Sequence, residues 1–343
     1  MADSIYKRFE DADIVKANPA EVTTGIWTGD VGTLSTFFTS SVQSGSLSSQ
    51  FYYDVYQIDP LVSASADVQF SLAYGHITGG GAPTLTDSNT ATLAPQVVYS
   101  QYRNLLLDAT DPKFTFFNNY DSNHIFVINM SRQRLRERLD PGNLLLTLSG
   151  STGKFTFIDD SGQTLNAASG RGGQVFNIVS GSLTGPSGST VISSSSPTQG
   201  GFGLLYPDVG LIVLNPDALR EIGALPSTPV TSSGFPIQYN HQIALKSLRL
   251  GASFQARSAE TISSTHYFVR LRNMEYNYSN NPTFFDETTG TIFNNDFVND
   301  PRVYITTIGL YNDNNELLAV AKLSKPIKKD SASELLLKTK LDW

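Results

Sequence analysis

The chain has 343 residues, enough for one large domain or two ordinary ones, each with a buried core. Aliphatic and aromatic residues make up 40% and charged residues only 16%, and the net charge of −7 argues against bulk attraction to nucleic acid or to an anionic membrane. The absence of cysteine excludes disulfides, thiolate metal sites and cysteine nucleophiles.

The N-terminal stretch MADSIYKRFEDADIVK is charged and holds no apolar run, so no signal peptide is expected. No stretch anywhere approaches the ~20 apolar residues of a membrane span, so a soluble chain that folds where it is made is expected. The first clear strand signal is ADVQFSLAYGHI, where Val68, Phe70, Leu72 and Tyr74 alternate with Asp67, Gln69, Ser71 and Ala73. Strict period 2 of this kind predicts a half-buried strand. The Gly79–Gly81 triplet that follows lacks the Gly-Lys-Ser/Thr ending of a phosphate loop and reads as an ordinary loop. In LAPQVVYSQYRNLLLD, Pro95 suits a first helical turn, and Val98, Tyr102, Leu105 and Leu106 follow helical spacing.

Residues 125–150, IFVINMSRQRLRERLDPGNLLLTLSG, place Arg132, Arg134, Arg136 and Arg138 at every second position between two apolar runs. Ser131 as N-cap, good helix formers to Leu139 and a Pro141-Gly142 stop favour a short helix over a strand. Four arginines less Glu137 and Asp140 leave only +2, a poor footprint for nucleic acid. A connector is expected, with Arg134 and Arg138 as candidate anchors for a neighbouring subunit.

Three hairpins are expected farther on. KFTFIDDSGQTL turns at Asp160-Ser161-Gly162, GLLYPDVGLIVL at Pro207 to Gly210, and ITTIGLYNDNNELLAVAKL at Asn312 to Asn315. Short helices are expected in NPDALREIG, with Asn215 as N-cap and Gly223 at its end, and in residues 240–251. The Ser/Gly-rich residues 180–201 read as a loop or linker between residues 1–179 and 202–343, unless the whole is one domain. The C-terminal SASELLLKTKLDW opens like a helix capping box, but Leu335, Leu337, Thr339, Leu341 and Trp343 share strand parity. A closing strand is expected, with Trp343 docked against something. The fold class that results is mainly β, with antiparallel sheets of sandwich or barrel-like form and a few short helices.

Little in this sequence points to chemistry. The four histidines lack metal-pair spacing, and no cofactor or metal is expected. Asp159 and Asp160 are the best candidates for a hydrolase carboxylate pair, although their turn context favours local hydrogen bonding. Interface residues are the better expectation: Tyr276, Tyr278, Phe284 and Phe285 in MEYNYSNNPTFF, with packing inside the chain as the equal alternative, and Lys322, Lys325, Lys328 and Lys329 around Pro326 as protection of a strand edge or else as contacts to an acidic subunit.

Several blocks carry a resemblance: IYKRFEDADIV, VYSQYRNLLL, RERLDPGN, GLLYPDVGLIVLNPDAL, and the long tail from THYFVRLRNMEYNYSNNPTFF through YITTIGLYNDNNELLAVAKLSKPIKK to KLDW. Together they resemble virion structural proteins of T-even-like contractile-tailed phages, especially those of cyanobacteria. The blocks span most of the chain, apart from its Ser/Gly-rich middle. The resemblance implies a non-enzymatic tail or baseplate component, present in several copies, contacting other tail subunits and assembled in the host cytoplasm. A neck or head position, or a receptor- or glycan-binding tail protein, are the alternatives it leaves open.

Overall fold

The computed structural model describes residues 6–39, 52–79, 93–163, 168–184, 188–225, 240–279, 283–286 and 288–343. Strands account for 46% and helices for 15%, so the fold is mainly β, with antiparallel sheets. The chain divides into two units, one formed by residues 21–260 and the other joining the N-terminal 20 residues to residues 261–343.

In the larger unit a sheet of thirteen strands curls into a half-barrel. Its path runs Thr33–Leu34, Ser253–Gln255, Leu145–Ser149, Lys154–Asp159, Gly173–Leu183 and Gly203–Tyr206. It continues through Leu211–Leu214, His124–Met130, Val68–His76, Tyr52–Tyr56 and Phe38–Thr39. The central strands are buried on both faces, which corrects the expected half-buried strand at Val68–His76. Phe70, Leu72, Phe126, Ile128, Ile212 and Leu214 feed one core together with Trp27 and Phe254. The alternate residues Ala73, Ile125, Val127, Leu211 and Val213 feed a second core under the helix Leu93–Leu106. The sequence signal misleads here because Ser71 and Gln69 are polar, yet Gln69 is only 1% exposed and is held by Thr28.

That helix buries Val98, Tyr99, Tyr102 and Leu106, whereas Leu105, expected on the same face, is 46% exposed. Tyr99 takes the place because the helix presses directly on the sheet: a Cβ on Gly75 would lie 2.8 Å from the Tyr99 backbone nitrogen. The Pro207–Gly210 hairpin forms as its turn chemistry predicts, with Gly210 at φ 71° and its N–H donating to Tyr206 O. The segment after Asp160-Ser161-Gly162 does not give the expected hairpin partner. The turn forms, but Lys154–Asp159 pairs with Gly173–Leu183, and residues 164–167 lie outside the described residues.

Residues 180–201 also differ from expectation. Gly173–Leu183 and Ser189–Ser193 are paired strands inside the larger unit, so no unit boundary falls there. Small side chains look like linker composition, but a Cβ on Gly181 would meet Ile158 Cδ1 at 2.6 Å, so crowding between strands selects them. Residues 185–187, and Gly80 and Gly81 of the glycine triplet, lie outside the described residues.

The smaller unit contains a three-stranded sheet in the order Ile14–Lys16, Ser264–Leu271, Leu335–Asp342. The C-terminal segment is therefore the expected strand. A separate two-stranded ribbon pairs Arg302–Tyr311 with Leu317–Asp330 around the Asn312–Asn315 turn, where Asn315 takes φ 61°. Among the described residues, no helix is long and apolar enough to cross a membrane.

Candidate functional site

A buried set of titratable groups lies in the larger unit, where three strands and a short helix converge. Tyr74 comes from Val68–His76, His124 from the adjacent strand and Tyr120 from Tyr120–Ser122. Asp217 comes from the first turn of the helix Pro216–Glu221. That helix starts as the sequence predicts, with the Asn215 side chain accepting from Asp217 N and Ala218 N and Pro216 at the first position. The Tyr74 hydroxyl lies 3.0 Å from His124 Nδ1. His124 Nε2 lies 2.9 Å from Asp217 Oδ2. Tyr120 donates to the same oxygen at 2.9 Å and Arg220 stands 3.7 Å from the other.

His124 and Asp217 are 0% and 2% exposed. Burial pushes the Asp217 carboxyl up, but His124, the Tyr120 hydroxyl and Arg220 outweigh it and hold the carboxyl below the ordinary range. Burial, followed by the Asp217 charge, drives the Tyr74 hydroxyl well above its usual value. A tyrosine–histidine–aspartate chain can move protons, but each reactive atom faces another member of the chain. The arrangement fastens the helix to the sheet. The sequence shows no metal-pair spacing at His124 and leaves Asp217 unremarked, because Tyr74, the Tyr120–His124 stretch and Asp217 lie far apart in the chain.

Asp159 and Asp160 are also bound up locally. Asp159 accepts from Gly142 N at 2.8 Å, from Leu144 N, and from the backbone and hydroxyl of Ser161. Asp160 takes the backbone N–H and side-chain amide of Asn177. Burial raises the Asp159 carboxyl despite these donors. Both side chains anchor turns and strands. Among the described residues, no group of three or more His, Asp or Glu is placed to hold a metal ion.

The arginine stretch resolves into two short pieces. Arg132–Leu135 makes one helical turn, without a side-chain cap from Ser131, and Arg138–Leu139 pairs as a strand with Arg257–Ile262. Arg136 breaks the helix at φ 54°, short of the expected end near Leu139. The helix ends there because Arg138 and Leu139 are taken up in the strand ladder opposite Ala259 and Ser258, and Leu135 and Leu139 are both buried in the same core. Arg134 and Arg138, the candidate anchors, are engaged within the chain. Arg134 binds Asp67 at 2.8 Å and the Thr28 hydroxyl at 3.0 Å, and Arg138 binds Glu21 at 2.8 Å.

In the smaller unit the candidates separate. Phe284 packs edge-on against Phe297 at 4.7 Å, Phe285 bridges to Ile292, and Tyr276 is half-buried at φ 55°. Tyr278 is 61% exposed; the Trp343 backbone is hydrogen-bonded in both directions to Ser263, while its side chain is 64% exposed. Lys325 is exposed beside Pro326, where the ribbon ladder shifts register between Ile305 and Thr307. Lys328 pairs with Asp330 at 2.9 Å, which with Ser333 holds the Asp330 carboxyl down at about 2. Lys329, expected with its neighbours to guard a strand edge or meet an acidic subunit, is instead fully buried, its ammonium donating to Asn273 O, Asn277 Oδ1 and Asp330 O.

The distribution of apolar side chains is the clearest feature of this unit. Among the described residues it buries three hydrophobic side chains (Leu271, Leu310 and Leu337), while fourteen of its large ones are exposed, from Tyr6 to Trp343. Comparison with protein-family models, curated proteins and solved structures gives no match to this chain.

Proposed function

We propose that this chain is a structural subunit of a phage virion, placed in the contractile tail at the baseplate or tail periphery, and that it works through contacts with other tail subunits. The observation that carries the building-block reading is the exposure of fourteen large apolar side chains among the described residues of the smaller unit, which fully buries three hydrophobic ones. Patches of this kind on a soluble chain mark interaction surfaces, and a two-stranded ribbon is marginal alone in water. The titratable clusters of the larger unit favour the same reading, since their atoms are engaged in holding strands and turns. The phage placement rests on the sequence blocks quoted above, from IYKRFEDADIV to KLDW.

The test is location. Mass spectrometry of purified virions from a phage that encodes this chain should find it in several copies per particle, and a tag on it should appear at the tail in electron micrographs. Absence from purified particles would overturn the virion reading. Label at the neck or head would overturn the tail placement alone.

A further inference from the structure

The ribbon Arg302–Tyr311/Leu317–Asp330 carries its exposed side chains in three successive zones. The turn end is acidic, with Asp313 and Glu316 exposed. Next comes an apolar zone, in which Leu317 is 52%, Leu318 68% and Val320 55% exposed. Tyr311 lies in the same zone over Gly309, whose added Cβ would meet the tyrosine ring at 2.8 Å. The far end is basic: Lys322, Lys325 and Lys328 are exposed, and only Lys328 has an ion-pair partner among the described residues. By the ladder register Glu316 lies opposite Asn312, three residues from the Gly309 that faces Val320, and Lys325 lies between the pairs Lys322–Thr307 and Ile327–Ile305, two to four residues from it, so the charged zones flank the apolar centre at roughly 7–13 Å.

We propose that this face joins two copies of the chain about a two-fold axis through the apolar zone, with the ribbons antiparallel and face to face. A two-fold contact requires one patch that complements itself. Turning the ribbon end for end sets the Asp313/Glu316 zone of each copy over the Lys322/Lys325 zone of the other and stacks Val320 and its neighbours on their own counterparts. A parallel stacking would set lysine on lysine and is opposed by the same charges. Tyr311, Leu317, Leu318 and Val320 together expose on the order of 400 Å², about half of the ~800 Å² per partner that a standard interface covers. The pairing follows from the ribbon's own chemistry and does not depend on the virion reading.

Sedimentation velocity on the full chain tests it. The wild-type chain should self-associate at concentrations up to about 100 µM, a range that registers a Kd of that order. The double reversals Asp313→Lys/Glu316→Lys and Lys322→Glu/Lys325→Glu should each weaken association roughly tenfold or more, and mixing the two variants should restore it, because each then meets its complement. Val320→Asp should abolish it with an unchanged far-ultraviolet circular dichroism spectrum. A wild-type chain that stays monomeric, reversal variants that associate as well as wild type, or a mixture that fails to recover would each overturn the proposal.

Discussion

At the scale of single residues, buried charge in this protein is accompanied by its partners. Asp217 combines a histidine, a tyrosine hydroxyl and an arginine, and the net effect is a carboxyl held below the ordinary range. The sign for stability follows. A carboxyl with a depressed folded pKa contributes stability that is fully present above its unfolded value, ~3.9, and is lost as pH falls below that and through the folded value. Asp217→Asn should therefore lower unfolding free energy at neutral pH by about 1–3 kcal/mol, the range for breaking a buried charged hydrogen bond. The gap to wild type should narrow below about pH 4. Urea melts from pH 7 to pH 3 would check it, and a gap that widens on acidification would contradict the assignment. Asp159 works in the opposite sense, since its carboxyl is raised by burial and protonation favours its folded form. Comparing Asp217→Asn with wild type cancels that contribution.

At the scale of elements, the arginine stretch shows how local pattern and packing divide the outcome. Helix formers start the turn at Arg132, but pairing of Arg138–Leu139 with Ala259 and Ser258 sets its length, and Arg136 takes a positive φ at the break. The arginines then clasp neighbouring segments at Asp67, Glu21, Glu260 and Asp30. These are partly exposed pairs, each worth about 0.2–1 kcal/mol. Replacing Arg134 and Arg138 together by Ala should thus cost about 1 kcal/mol in chemical denaturation and leave self-association by sedimentation unchanged. A loss of association with intact stability would return these two residues to an interface role.

At the scale of the whole molecule, the two units have opposite apolar balances. The larger one buries two layers of side chains against its curled sheet, whereas the smaller one, among its described residues, leaves far more large apolar side chains exposed or half-buried than buried. Local stability follows buried apolar contact. Hydrogen exchange on the full chain should show residues 302–330 exchanging faster than the strands His124–Met130 and Leu211–Leu214. Protection of the ribbon should rise with protein concentration if it is a contact between copies. Uniform protection across both units, independent of concentration, would contradict this picture.

The sequence by itself determined the features governed by neighbours along the chain. These are the β-rich class, the Pro207–Gly210 and Asn312–Asn315 turns, the Asn215 cap and the closing strand Leu335–Asp342. Turn and cap geometry depends on a few adjacent dihedrals and side chains, so composition and spacing suffice. Only the tertiary structure decided which strands are buried on both faces, that residues 180–201 belong inside a sheet, and where the chain divides. It also decided that Arg134 and Arg138 are engaged internally and that His124 meets Asp217. Each of these is a contact between residues far apart in the chain. Burial and partner choice depend on what the rest of the fold brings against a segment, and nothing in a segment's own alternation encodes that.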